Sequence, residues 1–234
     1  MLRIPIHREG WRFIALAAII NAALLWLYLP TGLVCLPFSI WCVAFFRDPE
    51  RVTPQGRGLL VSPADGKLLP IISAVPPPEL GMGNTPRLRL SIFMNVFNVH
   101  VNRVPVDGRV IALNYKEGRF FNASFDKASV HNERMAIRIE PEESQDGGGL
   151  AVIQIAGLVA RRIKCDLARG QKVRRGERFG IIRFGSRLDV YLPPGSAVMA
   201  VEGGRVKAGE SVLAMLPQQD ELRVPRDREV AVGF

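Results

Sequence analysis

The chain has 234 residues, 48% of them apolar, and a formal charge of +9, which allows one well-filled soluble core beside a separate apolar segment. The charge alone selects no partner, because nucleic acid, a membrane surface and an acidic ligand would all answer to it. Three cysteines, two of them (Cys35 and Cys42) inside the apolar segment, exclude a disulfide scaffold and agree with a reducing compartment.

Residues 1–46 read as an anchor. From Phe13 to Phe46 there is no Asp, Glu, Lys or Arg, a run too long and too apolar for one helix of a soluble core. As a single helix it would extend about 51 Å, against a hydrocarbon layer of roughly 30 Å. A break is therefore predicted at Pro30-Thr31-Gly32, giving a helical hairpin. Pro37 and the short second arm leave two readings open, a pair of full spans or a shallow re-entrant hairpin. Arg3, Arg8 and Arg12 before it, with Arg47 and Arg51 after it, put both ends and the following domain on the cytoplasmic side of the cell membrane. A cleaved signal peptide is the rival, but a second apolar arm stands where polar mature sequence should begin.

Residues 47–217 show short alternating runs divided by Gly, Pro and Asp, the pattern of a mainly β (α+β) domain with few helices. Strands are predicted at Arg87–Phe93, Gly108–Leu113, Met135–Ile139, Leu150–Ile155 and Leu158–Ile163, with an exposed loop at Glu142–Gly149. Cys165 lies near Arg161, Arg162 and Lys164, which would lower its pKa if it were more than a strand residue. In the C-terminal half, GQKVRRGERFG and EGGRVKAGESVLAML each join a glycine turn to a short strand, as in barrel-sandwich carrier domains. No carrier lysine stands between them. Phe184-Gly185-Ser186-Arg187 occupies that place instead. Residues 218–234 read as a charged tail.

A Gly-Ser pair is commonly a turn. This one lies between two strand-like runs, GERFGIIRF and RLDVYLP, where a strained peptide can be held. Glycine on the acyl side offers the least steric resistance to attack by the serine hydroxyl on the preceding carbonyl. An N-to-O acyl shift is chemically reasonable there.

Three motifs stand in order: Ser62-Pro63-Ala64-Asp65-Gly66-Lys67, the run from Phe93 through Asn95, Asn98, His100, Asn102 and Arg103 to Pro105, and Phe184-Gly185-Ser186. With these, the chain from about Phe46 to Leu216 resembles the short form of the phosphatidylserine decarboxylase family. The resemblance implies self-cleavage between Gly185 and Ser186 into a large chain (1–185) and a small chain (186–234), which remain together as a heterodimer. It implies a covalent pyruvoyl group derived from Ser186 as the cofactor, with neither metal nor pyridoxal phosphate, and phosphatidylserine in the membrane as substrate. It leaves room for a higher homo-oligomer. The ketone would condense with the serine amine and drain electrons from the bond to the carboxylate, as a pyridoxal ring would.

Ser186 needs a base, and a carboxylate paired with an imidazole is one way to provide it; Asp65 and His100 are the candidates. His100 is also the better donor for the later protonation, because an imidazole adjusts its charge near neutrality. Each has a plainer reading: Asp65-Gly66 is a turn pair, and His100 sits in an alternating strand. His131 reads as a surface residue and His7 as part of the anchor flank. Longer family members carry a second histidine three residues beyond the first, where this chain has Arg103. An arginine stays protonated and cannot serve as a base, but its fork suits a substrate carboxylate or phosphate.

Lys and Arg in excess, among them Arg161, Arg162, Lys164, Lys172, Arg174 and Arg175, would favour anionic lipid by about 1 kcal/mol each near the surface. Rival classes are a membrane-tethered carrier without catalysis and a Ser/Lys peptidase using Ser62 and Lys67. Nucleic-acid binding rests on charge alone, since the aromatics do not interleave with the basic residues.

Overall fold

A computed structural model describes residues 5–118, 132–142, 149–157, 162–183 and 185–217. The expected tail, His131, Arg161, Phe184, most of the Leu158–Ile163 strand and most of the Glu142–Gly149 loop lie outside those residues.

Two antiparallel-packed apolar helices come first, α1 (Trp11–Leu27) and α2 (Leu29–Phe45). With the short turn before it, the first helical unit runs Arg8–Leu27, 20 residues, long and apolar enough to cross a membrane. At 1.5 Å per residue that is about 30 Å. The hairpin forms as expected, but its break falls at Tyr28 (φ −157°, ψ 99°) rather than at Pro30-Thr31-Gly32. Pro30 sits in the first turn of α2, where the missing amide donor would have had no helical partner anyway, so proline starts this helix instead of ending one. Gly32 lies inside α2 because any side chain there would meet Leu25 of α1. The amide of buried Asn21 donates to its carbonyl at 3.0 Å.

Beyond the hairpin the domain is built of β1 (Leu59–Val61), β2 (Gly66–Leu68), β3 (Ile72–Ala74), β4 (Arg87–Met94), β5 (Val101–Arg103), β6 (Gly108–Lys116), β7 (Arg134–Pro141), β8 (Leu150–Ile155), β9 (Ile163–Cys165), β10 (Lys172–Val173), β11 (Arg178–Ile182), β12 (Ser186–Tyr191), β13 (Ala197–Val198), β14 (Arg205–Val206) and β15 (Val212–Met215). The main sheet runs β10-β6-β7-β8-β12-β4-β2-β14, with β3 also on β4; two smaller sheets run β1-β15-β13 and β5-β11-β9. The described strands pair antiparallel and none of the three sheets closes into a barrel. The two glycine-turn segments of the C-terminal half are turn-and-strand units, as expected, yet they feed all three sheets.

The central strands are covered on both faces, which is why LAVIQI (β8) and SRLDVY (β12) are buried throughout. One face joins Leu188 and Val190 to Leu90, Ile92, Ile137 and Val152 in the main core. The other packs Tyr191, Ala151, Ile153 and Ile155 under Leu80 and Met82. A third cluster seats the hairpin base: Cys42, Phe45 and Phe46 pack on Val99 of the β4–β5 loop and on Val101 and Ile181 of the β5–β11 sheet. Below it the linker is stitched down by charge. Asp48 accepts from Arg178 (2.8 Å) and Arg103 (3.4 Å), and Glu50 from Arg178 (2.9 Å).

Gly66 allows β2 to lie close to β4, since a Cβ there would press on the carbonyl oxygen of Phe93. Gly66→Ala is expected to lower stability by about 1–3 kcal/mol through the forced backbone shift. Thermal melting checks this, and an unchanged melt would contradict the close approach.

Candidate active site

The C-terminal end of β4 is the meeting point of the three sequence motifs. Met94, the last residue of β4, lies directly opposite Ser186, the first residue of β12. On the other side of β4, Lys67 of β2 pairs with Phe93, which brings Asp65-Gly66 to the same end. The β4–β5 loop then returns to β11, where the amide of Ile182 donates to the carbonyl of His100 (3.4 Å) and Val101 is opposite Ile181. Only Arg183, Phe184 and Gly185 separate that contact from Ser186.

Ser186 is fully buried. Gly185 before it has φ 59°, in the left-handed region that glycine occupies without a Cβ penalty. The Ser186 hydroxyl is 4.0 Å from the thioether sulfur of Met94, a weak acceptor that leaves the oxygen loosely held. The same sulfur receives the Asn102 amide at 3.8 Å, and Gln154 in turn donates to the Asn102 carbonyl at 2.8 Å. Asn102 and Gln154 are both fully buried. They form a polar seam behind Ser186 that the sequence reading did not single out, although Gln154 is the one amide in an otherwise apolar strand.

His100 is fully buried, with its ring 4.3 Å from that of Phe45 at the hairpin base. Its Nδ1 lies 3.0 Å from the carbonyl oxygen of Asn98. A carbonyl only accepts, so Nδ1 carries the hydrogen and Nε2 the lone pair. Nε2 is buried with no hydrogen-bond partner among the described residues. Burial pushes the His100 pKa down to about 4; the Asn98 carbonyl opposes this and the Arg47 charge adds to it. The expected adjustability near neutrality is thereby corrected. The ring is neutral at pH 7 and offers a lone pair, the form a base requires.

The expected pairing of Asp65 with His100 is not the one observed. Asp65 takes a two-pronged contact from Arg51 (2.8 and 3.1 Å) and the amide of Ala208 at 2.7 Å. Arg51 had been read only as a membrane flank. Arg103 is buried and donates to the carbonyls of Gly176 (2.8 Å) and Pro49 (2.9 Å) as well as to Asp48. It therefore ties the anchor linker to the β10–β11 turn. The Cys165 thiol is pushed up by burial, opposite to the shift that its basic neighbours in sequence imply. Among the described residues no group of His, Cys, Asp and Glu is arranged to hold a metal ion.

Because the unfolded His100 would titrate near 6.5, the unfolded chain takes up a proton between pH 6.5 and 4 that the folded chain refuses. The fold thus loses stability as pH falls through that window. In an NMR titration with His7 and His131 replaced, the His100 ring is expected to stay neutral down to about pH 5, and Phe45→Ala to raise its midpoint by admitting water. A wild-type midpoint near 6.5 would contradict the sealed site.

Comparison with known proteins gives consistent results. The profile of the family described as phosphatidylserine decarboxylase matches residues 38–214. A phosphatidylserine decarboxylase proenzyme of Paramagnetospirillum magneticum is 52% identical over 219 residues, covering 94% of this chain and 90% of that protein. A protein of the same description from Cereibacter sphaeroides is also 52% identical over 219 residues, covering 94% of this chain and 93% of its own length. With its three motifs gathered at the end of β4, the chain belongs to the phosphatidylserine decarboxylase family.

Proposed function

We propose that this protein decarboxylates phosphatidylserine to phosphatidylethanolamine and carbon dioxide at a membrane surface, using a pyruvoyl group that it makes from its own Ser186. The observation that carries the reading is the junction of β11 and β12: a buried serine hydroxyl follows a left-handed glycine and lies at the focus of the family's three motifs. The names of both relatives, which call them proenzymes, support a chain that matures by cleavage.

In the maturation step the Ser186 hydroxyl oxygen bonds to the Gly185 carbonyl carbon, the Gly185–Ser186 peptide bond breaks, and the nitrogen of Ser186 takes a proton. Removal of the Ser186 α-proton then expels the Gly185 carboxylate with the serine oxygen. Water adds to the dehydroalanine that remains, and ammonia leaves. The neutral His100, with its free Nε2, is the base assigned to these proton transfers. Asp65 is the anionic member of the site, and it holds Arg51 and the Lys207–Ala208 turn about the strand end.

Position 186 suits such a group. It is fully buried beside Met94 and open at Gly185, where a Cβ would meet nothing within 4 Å; elsewhere in the buried interior, Gln154 Oε1 and His100 Nε2 have no hydrogen-bond partner among the described residues. Once formed, the ketone supplies an electron sink for the bond that releases carbon dioxide. The chain's own part is to exclude water, through Phe45 and the cover of the main sheet, and to return a proton to the substrate carbon through His100. Two apolar helices fit an enzyme held where its lipid substrate is concentrated, and the basic flanks favour a cytoplasmic domain at the cell membrane. Chains 1–185 and 186–234 stay together because β12 is hydrogen-bonded between β4 and β8.

Ser186→Ala is expected to remain one chain and to release no carbon dioxide from phosphatidylserine vesicles; cleavage of that variant at wild-type rate would refute the hydroxyl's role. His100→Ala is expected to slow maturation by at least about 100-fold, the usual worth of a positioned base. Maturation at an unchanged rate would remove His100 from that step.

A further inference from the structure

Beside the hairpin base, on the side of Arg183, lies a cavity of about 570 Å³ lined by Arg8, Glu9, Arg12, Phe13, Arg162, Lys164 and Arg183. Its size is that of a small-ligand site. Five cations face it, and the nearby carboxylates satisfy three of them. Glu9 takes Arg183 (2.7 Å) and Lys164 (3.2 Å), and Asp166 takes Arg8 (2.6 Å). Arg12 and Arg162 have no ion-pair partner among the described residues, and both are exposed. Arg183 is further fixed by stacking over the Phe13 ring at 4.8 Å.

Position decides what such a cavity would hold. Arg8, Glu9, Arg12 and Phe13 are the first residues of the helical unit long and apolar enough to cross a membrane, so the cavity lies at the depth of lipid headgroups. Arg183 opens the short run that leads from β11 to Ser186. On the same end of the domain, the β4–β5 loop is tied to the hairpin base by Trp41 on the Val96 carbonyl (3.3 Å) and Arg47 on the Phe97 carbonyl (2.7 Å). It leaves Phe97 70% exposed.

The geometry points to a phosphodiester site: Arg12 and Arg162 bind the phosphate of the lipid headgroup, while Glu9, Lys164 and Arg183 form a fixed wall. This rests on the function proposed above and adds to it the group that positions the substrate. A guanidinium offers two parallel donors to a phosphate, and the two free forks would place the charged headgroup beside Ser186 with its acyl chains along the hairpin.

The test uses the self-cleaved, full-length protein. Monomeric dihexanoyl phosphatidylethanolamine, which carries the phosphodiester but is not decarboxylated, is titrated by calorimetry into wild type, Arg12→Gln/Arg162→Gln, and Arg57→Gln/Arg205→Gln. The last pair removes the same charge from exposed positions that do not line the cavity. Steady-state decarboxylation of dihexanoyl phosphatidylserine is measured in parallel. Binding is expected to weaken about tenfold or more in the cavity pair and less than twofold in the remote pair, with the loss in decarboxylation carried by KM and not by kcat. Equal losses in both pairs would mean general attraction to anions, and no loss in the cavity pair would remove the site; either result overturns the proposal. Inorganic phosphate is expected to displace the lipid only at much higher concentration. Displacement at equal concentration would identify a free-phosphate site and overturn the lipid assignment. Fragment masses are recorded for each variant, so a failure of self-cleavage in wild type counts against the function proposed above, and a binding result in cleaved protein bears on this site alone.

Discussion

The seat of the hairpin on the β5–β11 sheet is the contact on which the site depends. Phe45 and Phe46 bury their rings against Val99, Val101 and Ile181, and Phe45 at the same time closes over His100. An imidazole in water would be partly charged at neutral pH; this one is buried and neutral, with one nitrogen committed to Asn98 and the other without a partner among the described residues. The apolar hairpin and the buried histidine are therefore parts of one packing arrangement. Burying a polar ring without a second partner among the described residues costs free energy.

Electrostatics then fixes the linker between anchor and domain. Two acidic residues and one basic residue of the linker find opposite charges on the domain: Arg103 and Arg178 for Asp48, Arg178 for Glu50, and Asp65 and Glu210 for Arg51. Arg51 and Asp65 are largely shielded from water, so removing Arg51 would leave the Asp65 carboxylate without its ion-pair partner, whereas Arg51 has Glu210 as a second one. The donors of Arg103 go to the linker and the β10–β11 turn. The imidazole left in the site is His100, and Asp65 meets a guanidinium.

Much of this was legible in the sequence because it depends on local pattern. The alternation of RLRLSIF and MAIRI gave β4 and β7, and the charge-free run from Phe13 to Phe46 gave the hairpin. The Gly185-Ser186 junction was legible because two strand-like runs flank it. What could not be read depends on partners distant in sequence. Pro30 signals a break, yet proline is tolerated in a first helical turn, so the break moved upstream to Tyr28. The neutrality of His100 depends on Phe45, and no local signal says that a residue of the anchor will cover it. Arg51 reads as a membrane flank because nothing local pairs it with Asp65, 14 residues on, or with Glu210, 159 residues on. Gln154 did carry a signal, an amide in an apolar strand, but its partner Asn102 appears only once β8 and β5 are brought together.

The central claim is that Ser186 becomes the blocked first residue of a separate chain. Intact mass of the purified protein tests it most directly. Two species divided between Gly185 and Ser186 are expected, with the smaller one lighter than its encoded sequence by the mass of one ammonia and lacking a free amino terminus. A single full-length species in a preparation that decarboxylates phosphatidylserine would contradict it.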